Sequence, residues 1–161
     1  MNKKVEDILN RQVEREAYSS HLYLAMASWA EVKGLPGIAA WLYAQSDEER
    51  MHMLKFIKFI NEREGQALVT ALKKPEKDYK SVKIMFQEVL KHEQFITDSI
   101  NEIVALCIKE KDYTTHNWVQ WFVSEQIEEE ANAREILDKI SLLGENLYIL
   151  DRDIMSLRGK D

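Results

Sequence analysis

Apolar residues recur at alternating steps of three and four along four stretches of this chain, the spacing that lines one face of an α-helix and presents it to a neighbour. The first stretch, from about Lys4 to Lys33, carries the seam Leu9, Val13, Glu16, Ser20, Tyr23, Ala27 and Ala30. Gly34-Leu35-Pro36-Gly37 interrupts it, Gly being suited to close a helix and Pro to open the next. The second, from about Ile38 to Glu64, reads Ile38, Leu42, Gln45, Glu49, His52, Phe56 and Phe59. So short a connection predicts an antiparallel pair. The third, from about Ser81 to Glu110, reads Val82, Phe86, Val89, Glu93, Ile96, Ile100, Ile103 and Cys107. After a brief break at Lys111-Asp112 the fourth, from about Tyr113 to Leu143, reads Val119, Phe122, Gln126, Glu129, Ala133, Ile136, Ile140 and Leu143. Gly144 stops it, and Asn146 to Leu157 reads as a short fifth helix or tail.

Between the second and third stretches, from Gly65 to Lys80, the helical pattern lapses around Pro75. Fully extended, this segment spans roughly 53 to 58 Å, against roughly 45 Å for a helix of about 30 residues. It is therefore long enough to run the length of a bundle and make the second and third helices parallel. The fold class predicted is all-α: a four-helix bundle, about 4–143, with one long crossover and a short C-terminal helix at about 146–157, forming a single domain over 1–161. Composition agrees, since 5 Gly and 2 Pro among 161 residues are too few for a loop-rich or all-β chain, and hairpin turn pairs are absent.

Each seam is interrupted once by polar groups near the middle of its helix: Glu16, then Glu49 with His52, then Glu93, then Gln126 with Glu129. Midpoints coincide whichever way a helix runs, so these side chains are expected in one layer. A shift of 77 positions carries Glu16 to Glu93, Glu49 to Gln126, His52 to Glu129, Glu48 to Glu125 and Trp41 to Trp118. Two helix hairpins thus supply half a site each. Four carboxylates in a core cost several kcal/mol apiece, in rough terms, unless compensated, and no Lys or Arg occupies the seams beside them. A lone core acid or His is ordinarily structural, but five groups at matching depth call for protons or metal. One Glu from each of two helices with Glu-x-x-His from the other two is a di-metal carboxylate pattern, here with Gln126-x-x-Glu129 in place of the second Glu-x-x-His, and carboxylate with imidazole suits iron, manganese or zinc. The net charge of −6 favours cations over nucleic acid or an anionic membrane as partners. With the single Cys107, no apolar leader and no membrane-length run, a cytoplasmic protein is expected.

Four stretches carry a more specific likeness: Glu16-Ala-Tyr-Ser-Ser, Glu48-Glu49-Arg-Met-His52, Lys91-His-Glu93-Gln, and Trp121-Phe-Val-Ser-Glu125-Gln126-Ile-Glu128-Glu129-Glu130. With them the chain resembles the bacterial non-haem ferritins over nearly its whole length. The resemblance implies a hollow shell of 24 copies that oxidises Fe(II) with oxygen or peroxide and stores the Fe(III) mineral. It implies two irons per chain, the first held by Glu16, Glu49 and His52 with Glu49 bridging, the second by Glu93, Glu129 and Gln126. It also implies a third, more transient iron at Glu48, Glu125 and Glu128, which geometry alone reads as part of a solvated helix face. For Tyr23, two turns from Glu16, it implies an electron-transfer role beside the bland one of packing with a hydrogen bond.

Trp121, one turn before Glu125, is expected near the metals. Trp29, Trp41 and Trp118 are expected in the core or at subunit contacts, and His21, His92 and His116 at the surface. Related bacterioferritins carry a haem-ligating Met after the bridging Glu; here that position is Arg50, with Met51 about 100° further round the helix, so haem is not expected. The competing function is a di-iron enzyme of the rubrerythrin or oxygenase type acting on an organic substrate.

Overall fold

Asn2, Ser81 and Asp112 each turn a side chain back onto a free backbone N–H at the start of a helix, accepting from Lys4, Ile84 and Thr115 respectively. That is the N-cap chemistry of short polar residues. In a computed structural model that describes residues 1–144 and 146–158, the helices are α1 (Lys3–Val32), α2 (Pro36–Glu62), α3 (Val82–Glu110), α4 (Tyr113–Leu143) and α5 (Leu147–Asp153). A 3-10 turn, Ile154–Leu157, follows α5. Residues 145 and 159–161 lie outside the described set. The bounds of α1 and α3 differ from expectation by no more than a residue, whereas α2 opens at Pro36 rather than Ile38, because the fixed φ of Pro suits a first helical position, and closes at Glu62 rather than Glu64. The tail expected as one short helix from Asn146 to Leu157 divides into α5 and the 3-10 turn.

The crossover at 65–80 is tied to α1 at both ends. Near its start, Asn10 donates to the Gln66 carbonyl and accepts from the Leu68 N–H at 2.7 Å. Near its finish, Tyr79 packs edge-on to Trp29 at 5.6 Å. It therefore travels from the beginning of α1 to its end, so α3 runs parallel to α2, as the length of the segment predicts. Lys4 and Glu110, 2.8 Å apart, close the far end.

The seams are buried almost throughout, Leu143 alone being half-exposed. They do not form one continuous apolar core. One cluster, with Met26, Trp41, Phe86 and Ile136, fills the end of the bundle near the α1–α2 turn. Another, with Leu9, Phe56, Ile100 and Phe122, fills the opposite end. Between them lies a polar slab containing Gln12, Glu16, Gln45, Glu49, His52, Glu93, Ser99, Gln126 and Glu129, all buried.

The tail packs on its own bundle. Leu150 and Ile154 are buried in the first cluster, and Asp151 accepts from the Ile38 N–H at 2.8 Å. Among the described residues no helix is long and apolar enough to cross a membrane.

Candidate metal centre

Helical spacing sets Glu49 and His52 on one face of α2, and the antiparallel turn at Gly34 brings Glu16 of α1 against them. His52 Nδ1 lies 3.4 Å from Glu49 Oε2 and 3.8 Å from Glu16 Oε2. One donor atom from each of the three falls within 4.8 Å of the other two. All three residues are at most 3% exposed. Glu16 Oε1 is held by Gln12, whose Nε2 donates at 2.7 Å, while Ser99 of α3 donates to Gln12 Oε1 at 2.9 Å. Glu16 Oε2 and Glu49 Oε2 are buried with no hydrogen-bond donor. Two such oxygens beside an imidazole nitrogen suit a cation, and all the donor atoms are O or N, as iron, manganese or zinc accept.

The other half of the layer differs. Glu93 Oε1 accepts from the Tyr23 hydroxyl, and Gln126 donates to the Glu93 backbone carbonyl at 3.1 Å and to its Oε2 at 3.3 Å. Glu129 Oε2 accepts from Gln45 at 2.7 Å. These carboxylates are supported by protein donors, whereas Glu16 Oε2 and Glu49 Oε2 have none. The pairing by hairpins read in the sequence is thus one of position, not of hydrogen bonding.

Loss of water around the layer governs its protonation. Burial raises the Glu16 carboxyl, and burial together with the charge of Glu93 pushes Glu49 and Glu129 well above the usual range. Glu93 is pushed up to about 7, again chiefly by burial. His52 moves the other way, to about 4, through burial and then the nearby Lys55. Without a cation, the contacts of His52 with Glu16 and Glu49 at neutral pH are those of a neutral imidazole rather than of an ion pair. Tyr23 is raised well above its ordinary value by burial and by Glu93.

Toward solvent, His52 belongs to a second group with Glu48 and Glu125, whose donor atoms also lie within 4.8 Å of one another. A cavity of about 40 Å³ there is lined by Glu48, Glu125, Glu128, Glu129, Gln45, Asn132 and Arg158. Glu128 is brought to the cavity although it is itself exposed. Trp121 reaches the centre as expected, its ring 5.4 Å from that of His52, with the Lys55 ammonium 3.0 Å above it. Trp29 and Trp41 are buried, and Trp118 stacks on Phe59 at 4.0 Å.

His92 corrects an expectation. Rather than lying at the surface, it is largely withdrawn from water, bonds Ser19 at 2.7 Å and stands edge-on to Tyr23. Burial lowers it to about 4. It faces the α1–α3 groove, about 100° round from Glu93, so no seam could have found it. His116 is half-buried and His21 exposed. Gln12, Ser99 and Arg158 also went unread, because their roles depend on what faces them from other elements.

The family model for the ferritin-like domain matches residues 6–143. The chain is 42% identical over 160 residues to a bacterial non-heme ferritin of Campylobacter jejuni, covering 98% of this chain and 96% of that one. To a probable bacterial non-heme ferritin-like protein of Haemophilus influenzae it is 39% identical, covering 99% of each. Among solved structures, an open pore ferritin of the hyperthermophilic archaeon Archaeoglobus fulgidus superposes with a TM-score of 0.95 at 40% identity, covering 99% of this chain and 98% of that one.

Proposed function

The chain belongs to the ferritin family, and from that premise we propose that it stores iron, oxidising Fe(II) inside the bundle and passing Fe(III) to a mineral within a shell of 24 copies. Iron is the substrate. Glu16, Glu49 and His52 take the first ion, with Glu49 bridging to a second beside Glu93, Gln126 and Glu129. Two ferrous ions supply two electrons, enough to reduce one oxygen molecule to peroxide or one peroxide to water, and Tyr23 stands beside Glu93 to relay an electron. Glu48, Glu125 and Glu128 take a third ion on its way out.

The observation that carries this reading is the pair of donorless buried oxygens of Glu16 and Glu49 facing His52 Nδ1. Buried acids held protonated by their surroundings release those protons when a cation enters. Hydrogen bonds from Tyr23, Gln126 and Gln45 keep the other two carboxylates oriented meanwhile. The cavity of about 40 Å³ beside Glu48 has room for an ion and water.

The test is aerobic Fe(II) oxidation by the assembled protein. Glu49→Ala and His52→Ala should each slow the fast phase by at least about tenfold, the loss that even outer-shell partners of metal ligands produce. Helix content and assembly should persist. Oxidation at the parent rate in both variants would remove these residues from the site.

A further inference from the structure

The layer has a built-in cation that no seam contains. Arg158, beyond α5 and its 3-10 turn, places Nη2 at 2.6 Å from Glu48 Oε2. Its Nη1 donates at 3.3 Å both to Gln45 Oε1 and to the Trp41 carbonyl, and the guanidinium stands 5.9 Å from the Trp41 ring. The same Gln45 donates through its nitrogen to Glu129, so one amide joins Arg158 to the buried acids. The guanidinium is not carried on a loose end: Leu150 and Ile154 are buried in the core, and Asp151 is bonded to the start of α2.

We propose that Arg158 sets the affinity threshold of the outer cation position, as a tethered single charge that an entering ion must displace from Glu48. This rests on the reading of Glu48, Glu125 and Glu128 as that position. A guanidinium is always charged and meets a carboxylate with a rigid fork of donors, so the pocket starts out partly neutralised. Attraction to the carboxylates scales with ionic charge. A monovalent ion gains nothing by replacing Arg158, a divalent ion gains some, and a trivalent ion gains most. The apparent affinity for every ion is reduced by the fraction of time the pocket is filled. Because that factor is common to all ions, Arg158 leaves their order by charge unchanged and sets a threshold: weakly held ions lose occupancy, while a trivalent ion still binds tightly enough to stay. Lys55, over Trp121 at the same rim, adds positive charge without entering the pocket lining.

The test is calorimetric titration of the apo-assembled protein with Zn(II), which has no redox chemistry to confuse the reading. Glu125→Gln and Glu128→Gln identify the outer class of sites by weakening it selectively. Arg158→Gln should tighten that class by at least about threefold, as expected for removing a half-buried competing ion pair, while the inner class is unchanged. Arg158→Lys keeps the charge and should stay near the parent. Equal outer affinity in parent and Arg158→Gln, or equal tightening by Lys and Gln, would overturn the competition. If Glu125→Gln and Glu128→Gln weaken nothing, the outer position itself is absent, and the proposal falls with it for that separate reason.

Discussion

Glu93 gathers two donors, from Tyr23 and Gln126, and yet burial still pushes its carboxyl up to about 7. A raised carboxyl contributes stability that is present below its unfolded value, 4.5, and lost as pH rises through about 7. Glu16, Glu49 and Glu129 shift the same way, chiefly through burial. His52 and His92 oppose it: lowered from 6.5 to about 4, they are stabilising as neutral rings above 6.5 and lose that contribution as pH falls toward 4. The metal-free protein should therefore melt at progressively lower temperature between pH 5 and 8, and Glu93→Gln should flatten that slope. An unaltered slope in the variant would remove Glu93 as its source. Metal uptake should release protons and strengthen with pH, which calorimetry in buffers of different ionisation enthalpy can measure. The neighbouring amide bears on the second ion. Gln126→Glu replaces a donor toward Glu93 by an acid, so Fe(II) titration without oxygen should show the weaker inner affinity tightened and release of oxidised iron slowed. If neither changes, the neutral amide does not set the asymmetry of the pair.

At the scale of elements, the connections carry as much as the helices. The antiparallel α1 and α2 follow from the short loop between them, and the length of the crossover permits parallel α2 and α3, so both were readable before any contact was known. The short helix of the tail was legible, but not where it seats. Its apolar residues, Leu147, Leu150 and Ile154, can seat on a partner as readily as on their own bundle, and only the folded chain shows them capping the first cluster. Gly37 makes that seat possible, because a Cβ there would stand 1.7 Å from the Asp151 carbonyl oxygen. Gly37→Ala should displace α5 and destabilise the protein by about 1–3 kcal/mol, the usual cost of overpacking. It should also alter the outer cation affinity by moving Arg158. A thermal scan and a Zn(II) titration check both, and a variant with parent melting temperature would show that the close approach is relieved without cost.

For the whole molecule, the family membership sets the expectation of a closed shell, the ordinary outcome for symmetric soluble oligomers. Aerobic loading with Fe(II) followed by size-exclusion chromatography should elute iron with a particle of about 24 chains. Iron eluting with dimers or monomers would leave catalysis without storage. What the sequence by itself determined was the set of faces: four helices, their order, and a layer of Glu16, Glu49, His52, Glu93, Gln126 and Glu129 at one depth, because helical periodicity and helix midpoints are local properties that survive any reasonable packing. Tertiary structure alone decided which oxygens stay without donors, that Gln12 and Ser99 hold Glu16, that His92 backs Tyr23, and that Arg158 reaches Glu48 from 110 positions away. Those depend on distances between elements far apart in the chain, and on which polar groups burial leaves without water, neither of which a periodic pattern encodes.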